Sequence, residues 1–550
     1  MRIILLALVV LLTGFMNGQK ISDKMDFKKG LPLEAKGTDI RSVIGKMGNG
    51  YVVVREDKDG IFLERLSATM RVVKSADLSD KMVGEIKKTN FHRGFQMGGR
   101  LFLIFSANDK KAGLLRYAID EYDPTTLAVK KRIHNGSTSL TGLNSVYWYG
   151  IGAGNAISES SELLGTDISL DSSMFVLYTS KFDKDKSSNE EVGVEVFDAT
   201  MKLVWKKEFE LPFQQKDFSI RDMVVDNNGN VHLLGRESLS RAESKEQDTK
   251  DTWHKYHVIT YNQDGTSKQY MLSVKDYNIR DAAIEINTEG HLIACGYFAF
   301  PQTSQIVGAF YTKVDLEKQT VLVSNDQKFN FDIGESVDEE EGEEDDEAKA
   351  EPVDDKKAKK DEKKEAKKTG VYSLYLDGLV LTEDGGALLV GEQFYWYTVQ
   401  YATTANGVTT WYTKVVYVYG SMVVNRVNSS GQIQWSTKIP KRQSSSAFLD
   451  YLSYSYSVCN DKLYLIYNDH IKSHTTEKIY RYGGPFGKYG IVSLAVVNAD
   501  GTFTRELLVP HSEDNVALAP GSSMFTGNCE MLCFFKTRKE YQFFLGTMTP

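Results

Sequence analysis

The feature that most constrains this chain is a hairpin that keeps returning. An apolar strand meets a short turn rich in Gly, Asn or Asp, and a second, strongly apolar strand follows. The clearest copies are Ile220–Gly235, Ile279–Gly296 and Asp377–Gly391. Looser copies follow the same plan at Lys46–Val54, Met97–Phe105, Asp171–Tyr178, Cys459–Tyr467 and Thr526–Phe534. Such turn residues tolerate the positive φ that a tight antiparallel turn needs. No stretch shows the sustained period of an amphipathic helix.

Each copy except the last is followed by a second hairpin, as at Phe62–Lys74, Tyr117–Val129, Val194–Lys207, Tyr261–Tyr270, Val423–Trp435 and Leu494–Leu507. Two hairpins make a four-stranded antiparallel sheet. The unit repeats every roughly 45–75 residues, at and above the periods of propeller blades. Radial stacking of such sheets limits their exposed edges. The expected fold class is therefore all-β: a single β-propeller with eight four-stranded antiparallel blades, seven being the fallback. The eighth copy falls a strand short, and the stretch Asp26–Leu33 is expected to supply its outer strand and close the ring.

With 41% hydrophobic residues the chain can bury a sizeable core. A formal charge of −8 gives no basic surface for wrapping nucleic acid. Residues Met1–Asn17 place Arg2 before the apolar run Ile3–Thr13, which reads as a secretory signal cleaved just before Gln19. That run is too short to span a bilayer, and no other run of 18 apolar residues follows. The expected location is periplasmic, outer-membrane-associated or extracellular. Only four cysteines occur in 550 residues, which excludes a disulfide-stapled scaffold. Cys529 and Cys533, four apart in one apparent strand, would lie roughly 13 Å apart, beyond disulfide reach. Together with Cys295 and Cys459 they are expected to be buried free thiols.

Between Glu335 and Lys368 the composition changes. This segment carries a formal −7 of the chain's −8, with its acids first and its lysines after. With almost no large apolar residue it cannot offset its ordering entropy, so disorder is expected. Its functional reading is a tether for a basic partner or a cation sponge; the plainer one is a solvated loop. The expected layout is a signal at 1–18, a first propeller part at 19–334 with five blades and the closing strand, the charged insert at 335–369, and blades 6–8 at 370–550.

The second hairpin, as in Val196-Phe-Asp-Ala-Thr-Met-Lys-Leu-Val-Trp-Lys-Lys-Glu-Phe, resembles blades of the pyrroloquinoline-quinone-like propeller superfamily. It is also similar to exported WD-like repeat proteins. Quinoprotein blades usually place Trp after the turn. Here Trp205 and Trp435 do so, while Ile133, Leu272 and Leu508 hold comparable places. The resemblance therefore implies a propeller without the quinone, and no cofactor is expected. Non-enzymatic members of the superfamily include the propeller of the outer-membrane barrel assembly machinery.

No motif fixes a chemistry. Gly150–Gly154 lacks a following Lys-Ser/Thr. His254 and His257 fall on opposite faces of a strand, and His470 and His474 have no third ligand in view. Two features go further. Charged residues open the first strands at matching places: Arg41, His92, Arg93, Arg221, Asp222, Arg280, Asp281, Asp377 and Asp450. They form either a polar binding ring at one channel mouth or locks that tie each blade to the next. The second feature is a long aromatic hairpin, Phe394–Tyr419, turning at Asn406-Gly407. Its residues Tyr395, Trp396, Tyr397, Tyr401, Trp411 and Tyr412 suit a protein or glycan partner, or else fold down over a blade. The expected function is an exported, non-catalytic binding or scaffold module at the cell envelope. The alternative is a propeller enzyme using the channel mouth, either a quinoprotein-like dehydrogenase or a polysaccharide-acting hydrolase or lyase.

Overall fold

The computed structural model describes residues 22–549 apart from 35–36, 80, 88, 141–163, 182–187, 240–253, 276, 301–305, 319, 330–372, 406–407, 477, 486–488, 510–516, 528 and 538. The signal segment, the charged insert, the Gly150–Gly154 run and the Asn406-Gly407 turn lie outside the described residues.

Eight antiparallel sheets follow one another along the chain. Blades 1 to 7 span 39–77, 90–139, 165–214, 218–272, 278–328, 374–439 and 454–509. Each begins with its innermost strand and ends with its outermost. Blade 8 takes Ala517–Leu518, Met524–Gly527, Glu530–Lys536 and Glu540–Met548 from the end of the chain, and its outer strand, Met25–Lys29, from the beginning. Met25 pairs with Met548 and Lys29 with Phe544. The expected ring closure is therefore present, with eight blades rather than seven.

The turns show why these residues make hairpins. Asp226 Oδ1 accepts the N–H groups of Asn228 and Asn230 at 2.9 and 2.8 Å, and Gly229 sits at φ +80°. Equivalent loops recur with Asn287 and Gly290, Asn428 and Gly431, and Asn498 and Gly501. A side-chain acceptor fixes the turn, and a left-handed residue matches its twist to the strands. Several of the described turns use no glycine. Met70, Leu127 and Met201 take φ values of +56°, +57° and +62°. All three side chains are buried between blades. Left-handed backbone costs about 1–2 kcal/mol per residue, and burying such a side chain returns about 1.5–3 kcal/mol.

The core is divided rather than central. Eight apolar clusters each span one pair of neighbouring blades, including the pair that joins blade 8 to blade 1. Trp205 and Trp435 cross such boundaries, donating from Nε1 to the carbonyls of Gly229 and Ala499 at 2.9 and 2.8 Å. Among the described residues, no helix is long and apolar enough to cross a membrane.

The cysteines require a correction. Cys459 and Cys529 form a disulfide, with Cα atoms 5.3 Å apart, and join blade 7 to blade 8. Cys529 is not part of an extended strand. It occupies the turn before Glu530–Lys536 at φ +56°, so its side chain is not bound to the face that Cys533 shares. Cys295 and Cys533 are buried free thiols, as expected.

Candidate functional site

The innermost strands carry a shared irregularity. In blades 1, 2, 4, 5 and 6 a β-bulge interrupts the register at Arg41, His92, Arg221, Arg280 and Asp377. A bulge adds a residue opposite the partner strand and re-aims side chains. The matching places seen in the sequence are thus matching bulges. Asp450 is different: it lies in a short 3-10 turn ahead of the blade 7 inner strand.

Next to these bulges, the ring is stapled from blade to blade. Asp167 Oδ2 accepts the N–H of Val225 at 3.0 Å, linking blades 3 and 4. Asp222 reaches the N–H of Ile284 at 3.5 Å, and Asp281 accepts from Leu376 at 3.0 Å. Asp377 accepts from Tyr454 Oη at 2.8 Å, between blades 6 and 7. Arg93 donates to Oγ1 of Thr166 at 2.9 Å, between blades 2 and 3. Across the closing boundary, Glu530 takes Lys46 and Tyr51 at 2.8 and 2.6 Å.

The same strands surround a cavity of about 1940 Å³. Residues at the starts of inner strands (Asp39, Arg41, His92, Arg93) and at their far ends (Glu383, Asn460, Asp461) line it together, so it runs along the strand direction. Arg41, His92, Arg93, Asp222 and Asp450 therefore share one space. Arg221, Asp222, Asp281 and Asp377 border a narrow crevice among blades 4 to 6. Arg280 touches neither space; its carbonyl accepts Tyr256 Oη at 2.9 Å.

Sequence reasoning missed Asp167 and Glu285, which also line the cavity. The inner strand that holds Asp167 is only four residues long, too short to show its repeat. Asp167, Asp222 and Glu285 are half-buried on the channel wall. Loss of bulk water pushes Asp167 up to about 6 and Asp222 up to about 7, the latter helped by repulsion from Asp167. Burial and both neighbouring carboxylates raise Glu285 well above the usual range. His92 is driven down to about 4 by burial and by Arg41, and its Nε2 meets Ser106 Oγ at 2.5 Å.

Blade 6 supplies the other half of the site. Its middle strands, Ala387–Ala405 and Val408–Val427, stay paired far beyond the blade. Strand parity sorts the aromatics. Phe394, Trp396, Val415, Tyr417 and Tyr419 line the cavity. Trp411, opposite Ala402, falls on that same face nearer the tip. Tyr395, Tyr397, Tyr401 and Tyr412 fall on the other face, where Tyr395 and Tyr397 are half-buried. Tyr401 stacks on Tyr412 at 5.5 Å. Trp396 and Trp411 are 60% and 66% exposed, so the hairpin is not folded down over a blade. The hairpin and the mouth residues, read separately from the sequence, meet on one cavity.

The histidines have local partners. His257 binds Glu237 at 2.8 Å and Gln269 at 3.0 Å. His254 contacts Ser238 at 3.3 Å, and His470 packs against Tyr480 and Tyr489. Ser493, His474 and Asp469 cluster, but Ser493 and Asp469 both approach Nε2, at 2.7 and 3.7 Å. A nucleophilic triad needs the acid on the opposite ring nitrogen. Among the described residues, no group of three or more His, Cys, Asp or Glu could hold a metal ion.

No protein-family model matches the chain, and no curated protein matches it. Its structural neighbours include β-propeller domains. One is the propeller domain of the Trilobed protease from Pyrococcus furiosus, 9% identical, covering 83% of this chain and 93% of that one, with a TM-score of 0.31. Prolyl oligopeptidase B from Galerina marginata is 7% identical over 93% of this chain and 55% of its own, with a TM-score of 0.39. A protein of unknown function from Dyadobacter fermentans is 8% identical over 74% and 99%, with a TM-score of 0.29. Nothing of their chemistry transfers at these identities.

Proposed function

We propose that this chain is an exported, non-catalytic binding module of the cell envelope that holds a partner over one mouth of its channel. One observation carries the reading: the inner face of the blade 6 hairpin and the polar residues of the inner strands line a single cavity. Concave sites with apolar walls and a few converging polar groups are the usual form of ligand sites. Export is supported by the Met1–Asn17 segment and by the Cys459–Cys529 bridge, because disulfides persist in oxidising compartments. The repeat resemblance to pyrroloquinoline-quinone-like and WD-like propellers, some of them non-enzymatic, agrees with a module of this type.

The test is capture of partners from envelope fractions by the full chain and by a variant in which Phe394–Tyr419 is replaced by a short turn. Loss of the captured species in the variant is expected. An unchanged set of partners, or a chain found only in the cytoplasmic fraction, would overturn the reading.

A second reading has one observation in its favour. The channel wall carries carboxyl groups, and burial raises both Asp222 and Glu285, the direction that favours a general acid. Polysaccharide cleavage or dehydrogenase turnover that disappears in Glu285→Gln would favour an enzyme.

A further inference from the structure

The inward face of the blade 6 hairpin has an unusual layout. Trp396 and Trp411 stand on it as separate exposed plates. Six residues of ladder separate Trp396 from Ala402, the partner of Trp411, which is roughly 20 Å at strand rise. Thr398, Gln400 and Thr413, all exposed, occupy the same face between the plates, with the half-buried Val415 opposite Thr398. A protein hot spot would instead gather its anchors into one desolvated cluster. Plates separated by hydroxyl and amide groups match a different surface, one that alternates flat C–H faces with hydroxyl groups.

The base of this track ends at the channel mouth. There Asp39, Arg41 and Asp450 are 57%, 49% and 64% exposed at their side chains, although each has an ion-pair partner. Carboxylate and guanidinium groups are suited to pairs of adjacent hydroxyls, which can both accept and donate. Phe394 and Tyr417 lie near-parallel, with centroids 6.3 Å apart, just inside the mouth. Towards the two ends of the cavity Asp39, Glu383, Asp450 and Asp461 outnumber Arg41 and Arg93, so a polyanion gains no net attraction.

We infer that the hairpin and channel mouth form a binding track for a neutral, linear glycan, with Trp396 and Trp411 as its two stacking platforms and Asp39, Arg41 and Asp450 as its hydroxyl readers. This rests on the binding reading above and names the class of ligand for that site. The length of the track fits several sugar rings laid end to end.

The experiment is affinity electrophoresis of the full chain in gels containing xylan, galactomannan or polygalacturonate, followed by calorimetric titration of any glycan that retards it. Retardation by a neutral glycan and none by polygalacturonate is expected. Trp396→Ala and Trp411→Ala should each weaken binding about tenfold or more. The opposite-face pair Tyr401→Ala and Tyr412→Ala should change it less than about twofold. Both tryptophans are exposed, so unchanged melting temperatures will show that the variants remain folded. No retention by either neutral glycan, a preference for polygalacturonate, or equal loss from the two faces would each overturn the glycan assignment. If glycans fail while envelope capture still depends on the hairpin, the assignment falls and the binding module stands. If both fail, the site itself is wrong.

Discussion

Met25 lies opposite Met548 in an antiparallel pair, so two ends of the chain complete the same blade. Phe27 strengthens this seam, packing edge-on against Phe535 and Phe544 at 6.4 and 5.9 Å. The closure makes the ring one cooperative unit. Phe27→Ala, at a half-buried site, should cost about 1–2 kcal/mol in urea unfolding. Removal of residues 22–34 should cost far more and broaden the transition. A truncated chain that melts like the full one would show that the seam is not needed.

The Cys459–Cys529 bridge ties the penultimate blade to the closing one. Cys459→Ser together with Cys529→Ser should lower stability by about 2–4 kcal/mol, mainly by freeing the unfolded chain. Thermal unfolding with and without reductant measures this. Reductant should lower the melting temperature of the native chain and leave that of the double variant unchanged.

Asp281 accepts the buried N–H of Leu376 across the boundary between blades 5 and 6. Asp281→Ala strands that donor and should cost about 1–3 kcal/mol. Asp281→Asn keeps an oxygen acceptor there and should cost less than about 1 kcal/mol. Equal losses in denaturant titrations would mean that charge, not the staple, matters at this position.

The channel carboxyls set a pH dependence. Asp222 is raised to about 7, Asp167 to about 6 and Glu285 well above its ordinary value. Raised carboxyl groups contribute stability that is full below their unfolded values near 4 and is lost as pH rises through the folded values. Depressed histidines such as His92, near 4, act in the opposite direction, but only below about 6.5. Above about pH 6.5 the histidines no longer contribute and the raised carboxyls remain, opposed by the buried Lys441, whose burial lowers it. The melting temperature should fall between about pH 6.5 and 8, and Asp222→Asn should flatten the fall. Glu190, raised to about 7, keeps some slope in the variant.

Much of the fold was legible because its decisive signals are local. Asp226, Asn287 and Asn428, each followed by a glycine three residues on, announce a hairpin wherever they occur. A chain of such hairpins with few helical signals has few alternatives. The closing strand at Asp26 was readable as the piece missing from the last blade. The Cys459–Cys529 bridge was not, because it depends on two blades meeting side by side and on Cys529 leaving the strand. Glu285 was hidden for a similar reason: only the ring brings it towards Asp167 and Asp222. The length of the aromatic hairpin could be read directly. That its Trp396 face leans over the channel depends on how blade 6 is set in the circle.

The repeated bulge has a consequence for how such a chain can change. Arg41, His92, Arg221, Arg280 and Asp377 share one kind of irregular place, but they use it differently: Arg41 and His92 face the pore, whereas Arg221 and Asp377 reach across to the next sheet. The same architectural kink thus serves either guest or masonry, and the lining can be rewritten freely only at Arg41 and His92, where, among the described residues, no neighbouring sheet depends on the side chain.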